Sequence, residues 1–307
     1  MEETDLQLQP NEASDLTPVF GASVLEAHGW DLAFATVLDE APAEDALALL
    51  VHTAGEPLES GWRALRVNPA ADGDKGKTED AEACTRHGGW LYLLGSQYGG
   101  KSGPLEASRS WIARVAEDDL AASLAGGERP EIEIVRLRFA LHRAVNDALA
   151  RAVDVELLPL GPRTRESYID ATIVAGAKGD KRWAGRVKSG DVPINVEAAE
   201  FRDDGRLLLG LRHPVTVDGH PILVELDDVE SLFADPDAEP RCGAVWVLDG
   251  VGEPQRPCGV RALHAAELDH FHAIVGNLDA QSEDSVLIQD RPEAAVAESL
   301  HVSFRLP

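Results

Sequence analysis

An internal repeat constrains this sequence more than any other feature. Residues 80–95 read DAEACTRHGGWLYLLG and residues 195–210 read NVEAAEFRDDGRLLLG, and the two align without a gap at an offset of 115 residues. The matched pairs include Asp80 with Asn195, Glu82 with Glu197, Leu93 with Leu208 and Gly95 with Gly210. Each copy has two short strand-like stretches around a Gly-Gly or Asp-Asp-Gly turn, which is the turn chemistry of a β-hairpin. A repeated hairpin unit predicts an all-β architecture built from stacked repeats.

Two weaker copies extend the pattern. Residues 21–36 and 261–276 carry apolar residues where the second strand is expected. The four copies end 59, 115 and 66 residues apart, so the middle gap has room for a degenerate repeat near residues 131–141. Roughly 18–22 strand-like segments suit five or six blades. We therefore predict a β-propeller of five or six blades, in which residues 301–307 complete the first blade and remove an exposed edge.

Residues 139–153 break the β pattern, because their apolar residues recur at helical spacing. The sequence therefore predicts one inserted helix in a single propeller domain, residues 19–307, which follows an acidic N-terminal segment, residues 1–18. Further strands are predicted in the regions after the helix and near the end of the chain, at residues 153–158, 171–175 and 286–289.

The charge of the chain argues against two classes of partner. Its formal net charge of −26 repels nucleic acid and anionic membranes. No apolar run approaches the roughly 18 residues of a membrane span, and the N-terminus lacks the basic and apolar regions of a secretory signal, so we expect a cytoplasmic protein. The three cysteines fit neither a disulfide framework nor a zinc motif and are expected to be reduced. The acidity itself has two explanations, a solubilising surface or carboxylates that converge on a divalent cation.

Three segments carry a family resemblance: HGGWLYLLGSQYGGKSGP, INVEAAEFRDDGRLLLGLRHPV, and a later GVRAL that is followed by AIVG. Together, over residues 21–287, they resemble the bacterial family known as domain of unknown function 3616. The chain departs from that family at Ala198, where the family usually has glycine. The resemblance implies a β-propeller and no established activity. A looser similarity of pattern to phytase-like and lactonase propellers, whose channel carboxylates hold calcium, is one of fold alone.

The repeat also predicts where polar side chains meet. Equivalent positions of successive blades converge on a central channel, and residues i and i+2 of a strand share one side. The predicted channel positions of the two strong copies are Asp80, Glu82, Asn195 and Glu197. Their oxygens are the ligands that Ca²⁺ or Mg²⁺ prefers, so they are candidate metal ligands, and Glu197 and Glu82 are candidate catalytic carboxylates. Alternatively, these side chains cap strand ends and bond to neighbouring backbone groups.

Four further side chains are candidate substrate ligands. Ser96 ends the second strand of one strong copy, and Arg212 and His213 follow the second strand of the other. Arg261 aligns with Asp80 in the last copy. Two arginines at a channel can bind a phosphate or carboxylate. The alternative is that each pairs with a carboxylate and holds adjacent blades together.

A histidine cluster marks the last copy, at His264, His270 and His272. His270 and His272 are two residues apart and are expected to share a strand face, where two imidazoles can begin a zinc site. No third ligand is identifiable from the sequence.

These residues leave three functions open. The first is a binding protein that holds a small anionic ligand or a divalent cation in the channel, with a protein partner also open. The second is a metal-dependent hydrolase of a phosphate ester or ester. The third is a metal-free acid–base enzyme for a small molecule. The sequence has no serine-hydrolase elbow, complete metal motif or nucleotide fingerprint that would separate them.

Overall fold

The computed structural model of the protein describes residues 8, 12–67, 69–70, 77–267, 270–277 and 299–306. The strands are β1 (Ala13–Pro18), β2 (Trp30–Leu38), β3 (Leu47–Thr53), β4 (Trp62–Val67), β5 (Ala81–His87), β6 (Trp90–Gly95), β7 (Trp111–Ala116), β8 (Ile132–Arg136), β9 (Asn195–Phe201), β10 (Leu207–His213), β11 (Ile222–Asp227), β12 (Arg241–Val247), β13 (Cys258–Glu267), β14 (His270–Asn277) and β15 (Ser299–Arg305). The helices are α1 (Ala22–His28), α2 (Glu117–Leu124), α3 (Ala140–Arg151), α4 (Pro162–Thr164), α5 (Ala171–Lys178) and α6 (Val229–Ala234). A π-helical turn, Arg165–Asp170, joins α4 to α5.

Four antiparallel sheets contain these strands in chain order. β1–β4, β5–β8 and β9–β12 form four-stranded sheets, and β13–β15 form a three-stranded sheet. The all-β class is therefore confirmed, but the described residues form four sheets, fewer than the predicted five or six blades. β15 pairs with β14 in its own sheet, so the prediction that the last strand completes the first blade is wrong. Instead, β1 completes the first sheet by pairing with β2. This strand lies within residues 1–18, the segment predicted to precede the domain.

The first strands of the four sheets pack against one another. β1 contacts β5, β5 contacts β9, β9 contacts β13, and β13 contacts β1. In three of these strands, one extra residue interrupts the pairing with the second strand, and these bulged residues are Glu82, Glu197 and Arg261. β1 has a similar irregularity between Ser14 and Thr17. A bulge takes its residue out of the hydrogen-bond ladder and re-aims the side chain.

The two strong copies of the repeat form the first hairpins of the second and third sheets, as predicted. Their first strands keep the offset of 115 residues, because Glu82 and Glu197 hold the same bulged position. Their second strands differ, since Ala83 pairs with Leu94 whereas Ala198 pairs with Gly210. The hairpin of the third sheet is therefore one residue longer, which a gapless alignment cannot show.

The weaker copies are displaced from their predicted positions. The first half of residues 21–36 is the helix α1, so the first strand of that sheet lies earlier in the chain. Arg261 is the bulged residue of β13 and therefore corresponds to Glu82 and Glu197, not to Asp80 as the alignment predicted. Both errors arise because turns and bulges change the spacing between paired strands.

The wide gap between the strong copies contains helices, not a hidden repeat. Residues 132–136 are the outer strand of the second sheet, and α3 follows, which confirms the predicted helix. The predicted strand at 171–175 is wrong, since these residues lie in α5. The predicted strand at 153–158 contributes only an isolated bridge between Leu157 and Thr216. The predicted strand at 286–289 lies outside the described residues.

Consecutive sheets share apolar cores. Leu49 and Leu93 belong to the core of the first and second sheets, and Leu94 and Leu209 to that of the second and third. A third core joins the third sheet to the fourth. Burial of such side chains contributes roughly 1.5–3 kcal/mol each. Between the fourth and first sheets lies a cavity of about 260 Å³.

The three cysteines are free and buried, as the sequence predicted for small apolar side chains. Among the described residues, no helix combines the length and apolarity needed to cross a bilayer.

Candidate functional site

The bulges bring charged side chains of three sheets to one end of the packed first strands. Arg261 of β13 donates from Nη1 to Oε2 of Glu197 in β9, at 2.7 Å. Arg212, near the end of β10, donates to the other oxygen, Oε1. Glu197 is only 4% exposed, so both oxygens of a buried carboxylate are held by guanidinium groups. This arrangement matches the alternative in which both arginines pair with a carboxylate, and Arg261 thereby joins the fourth sheet to the third.

Three carboxylates lie beside this arrangement and form the carboxylate cluster: Asp39, Asp80 and Glu82. One oxygen of each lies within 4.8 Å of the others. Among the described residues, this is the only group of three or more aspartate, glutamate, histidine or cysteine side chains whose potential ligand atoms lie this close together. Asp39 follows the last residue of β2, and Asp80 directly precedes β5. The cluster thus combines one side chain from the first sheet with two from the second.

Neighbouring groups hold the cluster in place. Arg109 donates from Nη1 to Oδ2 of Asp80 at 2.8 Å, and the hydroxyl of Ser96 donates to the same oxygen. The hydroxyl of Ser14 in β1 donates to Oε2 of Glu82 at 3.1 Å. Asp39 and Glu82 are half-buried, whereas Asp80 is buried.

The cluster has an excess of negative charge. Burial, followed by the charges of Glu197, Asp39 and Asp80, raises the pKa of Glu82 well above its usual range. Burial also raises the pKa of Asp80, although Arg109 and Ser96 act in the opposite direction. These shifts mean that the ionised carboxylates are poorly compensated by the groups around them.

Asn195, at the start of β9, carries a buried side-chain oxygen without a hydrogen-bond partner among the described residues. The backbone N–H of the next residue, Val196, donates to the carbonyl of Ser96 at 2.8 Å, and this places Asn195 beside the serine that holds Asp80. Its Nδ2 donates to Oε1 of Glu197 at 3.3 Å. The side chain is 6% exposed, and its Oδ1 accepts no hydrogen bond among the described residues. A buried acceptor without a donor costs free energy unless a ligand satisfies it.

The structure places the eight sequence-predicted residues in different surroundings. Asp80 and Glu82 belong to the cluster, whereas Glu197 is bonded by Arg212, Arg261 and Asn195. Ser96 is buried and supports Asp80. His213 is also buried, and its Nδ1 lies 2.9 Å from the backbone carbonyl oxygen of Pro193, just before β9.

Three residues of the site were missed by sequence reasoning, namely Asp39, Ser14 and Arg109. Asp39 and Ser14 belong to the first sheet, whose first strand was sought in the wrong segment. A usable signal existed for Asp39, which directly follows a second strand, as Ser96 does in the next sheet. Arg109 ends a short 3-10 helix, Ala107–Arg109, between β6 and β7 and gives no repeat signal.

A second polar layer lies three residues further along the same first strands. Thr85 of β5 donates to Oε1 of Glu200 in β9 at 3.0 Å, and Nδ1 of His264 in β13 lies 3.5 Å from Oε2 of Glu200. Between the layers, Oδ2 of Asp15 accepts the backbone N–H groups of Cys84 at 3.2 Å and Ala199 at 3.4 Å. Asp15 therefore bonds to the first strands of two other sheets.

Comparisons with known proteins add no identification. No protein-family model matches the chain, and no curated protein matches it. The resemblance to domain of unknown function 3616 therefore stays a prediction.

The geometry defines what the site can do chemically. Three closely spaced carboxylates with two partly exposed members can bind a divalent cation or share a proton. The arginines next to them are already paired, so they act on a further anion only through the net charge of the site.

Proposed function

We propose that the protein is a four-bladed β-propeller that binds a divalent cation at the carboxylate cluster, Asp39, Asp80 and Glu82. The blade count rests on the four sheets and on the contacts of each first strand with its neighbours, from β1 through β13 and back to β1. The cation site rests on one observation, the three carboxylate oxygens within 4.8 Å of one another. Ca²⁺ and Mg²⁺ take such hard oxygen ligands, and Ca²⁺ tolerates the irregular geometry better.

Two further observations support a cation. The raised pKa values of Glu82 and Asp80 mean that bringing three negative charges together is costly, and a bound cation would remove that cost. The unsatisfied Oδ1 of Asn195 is a neutral oxygen of the kind that completes a Ca²⁺ coordination sphere.

A bound cation would also change what the site attracts. The cluster and Glu197 provide four carboxylates, and the arginines that pair with them are Arg109, Arg212 and Arg261. With every group ionised, the site has an excess of one negative charge. A divalent cation converts this to an excess of one positive charge, so we propose that the loaded site holds a small anionic molecule.

The proposal is tested by titrating Ca²⁺ and, separately, Mg²⁺ against the protein, with calorimetry and thermal melting as readouts. At a concentration of 100 Kd, a cation that binds only the folded state adds about 2.7 kcal/mol of stability. Glu82→Gln and Asp39→Asn each remove one charged ligand, and we expect each to weaken binding about tenfold or more. Glu59→Gln, a change at an exposed loop carboxylate, is the matched control and is expected to bind as the wild type does.

The proposal fails if neither cation raises the melting temperature of the wild type. It also fails if Glu82→Gln and Asp39→Asn bind the cation as tightly as Glu59→Gln does, since the cation then lies elsewhere.

A metal-free acid–base function is the second candidate, and the contact between Glu82 and Asp39 favours it. These two groups share a hydrogen bond that raises the pKa of Glu82, so a proton can take the place of a cation between them. A carboxylic acid kept neutral near pH 7 can act as a general acid. Activity on small-molecule substrates that persists in chelator and is lost in Glu82→Gln would support this candidate over the cation site.

The hydrolase alternative requires both a cation and a substrate. A panel of phosphate esters and carboxylic esters, assayed with and without the cation that binds, tests it directly. Turnover that requires the cation and disappears in Asp39→Asn would extend the binding function to catalysis.

A further inference from the structure

The fourth sheet presents four histidines on one face, and we name this the histidine face: His264, His270, His272 and His301. His264 and His272 are direct partners across β13 and β14. His272 lies opposite Ser303, two residues from His301 on β15. Directly opposite residues, and residues two apart, share a sheet face. His301 is the ligand that the sequence could not supply, because it is about thirty residues from the others in the chain.

Two of these imidazoles are already in contact. Nδ1 of His272 lies 2.7 Å from Nε2 of His301, and the rings stack with centroids 4.9 Å apart. Two nitrogens bound to one tetrahedral Zn²⁺ at about 2.0–2.1 Å are about 3.3 Å apart. The separation of these two nitrogens is therefore within about 0.6 Å of that of two nitrogens bound to one Zn²⁺.

His264 is arranged to act as the third ligand. Its Nδ1 faces Oε2 of Glu200 at 3.5 Å, and Glu200 is held in turn by the hydroxyl of Thr85. A carboxylate that accepts one imidazole N–H leaves the other nitrogen free and increases its basicity, as in carboxylate–histidine–zinc arrangements. His264 lies directly across the strand pair from His272, so the two imidazoles share one face of the sheet.

These three histidines border a space that is large enough for an ion and its waters. The cavity of about 260 Å³ between the fourth and first sheets is lined by His264, His272 and His301, together with residues of β1 and β2.

We propose that His264, His272 and His301 form a Zn²⁺ site in this cavity, separate from the carboxylate cluster. Imidazole nitrogens suit Zn²⁺ and related transition metals, whereas Ca²⁺ and Mg²⁺ take oxygen ligands. Three protein ligands leave the fourth tetrahedral position to water. All three ligands lie on paired strands, which hold a site more rigidly than loops do.

Zinc binding is measured by calorimetry on protein that carries no histidine tag, and Co²⁺ is used in parallel because its visible absorption reports tetrahedral nitrogen ligation. We expect one equivalent of Zn²⁺ to bind the wild type. His272→Asn and His301→Asn should each weaken binding by more than tenfold. Glu200→Gln removes the charge beside His264 but keeps an acceptor for Thr85, and it should weaken binding by about tenfold.

Two control variants separate this site from others. His28→Asn alters a histidine of α1 outside the histidine face, and Glu82→Gln alters the carboxylate cluster, so both should bind Zn²⁺ with unchanged affinity. His301 is exposed, so its replacement leaves the fold intact, and a melting curve verifies this. The proposal is overturned if the wild type binds no stoichiometric Zn²⁺, or if His272→Asn and His301→Asn bind as tightly as His28→Asn. It is also overturned if Glu82→Gln alone abolishes binding.

Discussion

Glu82 and Glu197 occupy the same bulged position in neighbouring sheets, but their electrostatic surroundings are opposite. Both oxygens of Glu197 accept hydrogen bonds from arginines, Arg212 and Arg261. Glu82 instead lies among negative charges, and its pKa is raised by burial and by Glu197, Asp39 and Asp80. The same backbone position therefore supports an ion pair in one sheet and a candidate cation ligand in the other.

The raised pKa of Glu82 predicts that the cation-free protein loses stability with rising pH. The pKa of Glu82 in the folded state lies above the ordinary value of 4.5. The contribution of Glu82 to the free energy of unfolding is therefore fully present below pH 4.5, and it is lost as the pH rises through the raised pKa. Glu82→Gln removes this loss, and we expect it to make the protein more stable than the wild type at alkaline pH, by on the order of 1–3 kcal/mol. Urea unfolding of both proteins in the presence of a chelator, repeated across the pH range, measures this difference in stability.

The control for this experiment is Glu59→Gln, which should follow the wild-type pH profile. The stability of Glu82→Gln should still depend partly on pH, because the pKa values of Asp15 and Asp80 are also raised. A Glu82→Gln profile that coincides with that of the wild type would show that Glu82 ionises freely in the fold.

Glu197→Gln is predicted to be destabilising and to act on Glu82. Removing the buried charge leaves Arg212 and Arg261 without their partner, which we expect to cost about 1–3 kcal/mol, since the arginines keep partial contact with solvent. The freed positive charges and the lost negative charge both lower the pKa of Glu82. The decline in stability with pH should therefore be shallower than in the wild type.

A double-mutant cycle checks the ion pair itself. If Glu197 and Arg261 interact as the structure shows, Glu197→Gln combined with Arg261→Gln costs less than the sum of the single changes. Strict additivity would contradict the pair.

Asp15 is predicted to tie three sheets together through its carboxyl oxygen. Asp15→Ala leaves the backbone N–H groups of Cys84 and Ala199 without an acceptor, and each loss costs about 1–3 kcal/mol. Asp15→Asn keeps an acceptor and removes a charge whose burial raises the pKa of the aspartate, so it should be close to neutral or stabilising. Equal destabilisation of the two variants would contradict this role.

Gly210 is predicted to be required where the third and fourth sheets meet. A Cβ at this position would lie 2.7 Å from Cγ1 of Val260 and 2.8 Å from Cβ of Ala198, closer than real contacts allow. Gly210→Ala should therefore destabilise the protein by about 1–3 kcal/mol. Gly190→Ala is the matched control, since nothing lies within 4 Å of its added Cβ, and thermal melting compares the two.

The sequence predicted the parts of the fold that depend on local pattern. The strong repeat correctly located two hairpins and the equivalence of Glu82 with Glu197, because both first strands carry the same bulge. It misplaced Arg261 by two positions, since a gapless alignment has no means of representing changes in turn length. The wide gap between the strong copies also suggested a further blade, whereas it contains helices. Apolar runs such as residues 171–175 suit a strand as well as a helix.

The candidate site was predictable only where the repeat was strong. Asp80 and Glu82, which the repeat picks out, both belong to the cluster, whereas the contact given for the Asn195 side chain is with Glu197. Asp39 was missed because no local pattern shows that this end of the first sheet lies next to the second sheet in the fold. The pairing of Glu197 with two arginines likewise depends on how the sheets pack, and the sequence left it open as an alternative. His301 was missed for the same reason, as β15 reaches the other histidines only through strand pairing.

The shared bulge has a consequence for the history of the chain. Three sheets carry the same irregularity at positions occupied by Glu82, Glu197 and Arg261, and a backbone defect that recurs in register is most simply inherited by duplication of one ancestral unit. In a symmetric ancestor with one acid at this position, the copies would have repelled one another. Exchange of one acid for arginine would have relieved that repulsion and left a single copy, Glu82, with its charge uncompensated. Asymmetry among duplicated units, and not any new element, would then be the origin of the site.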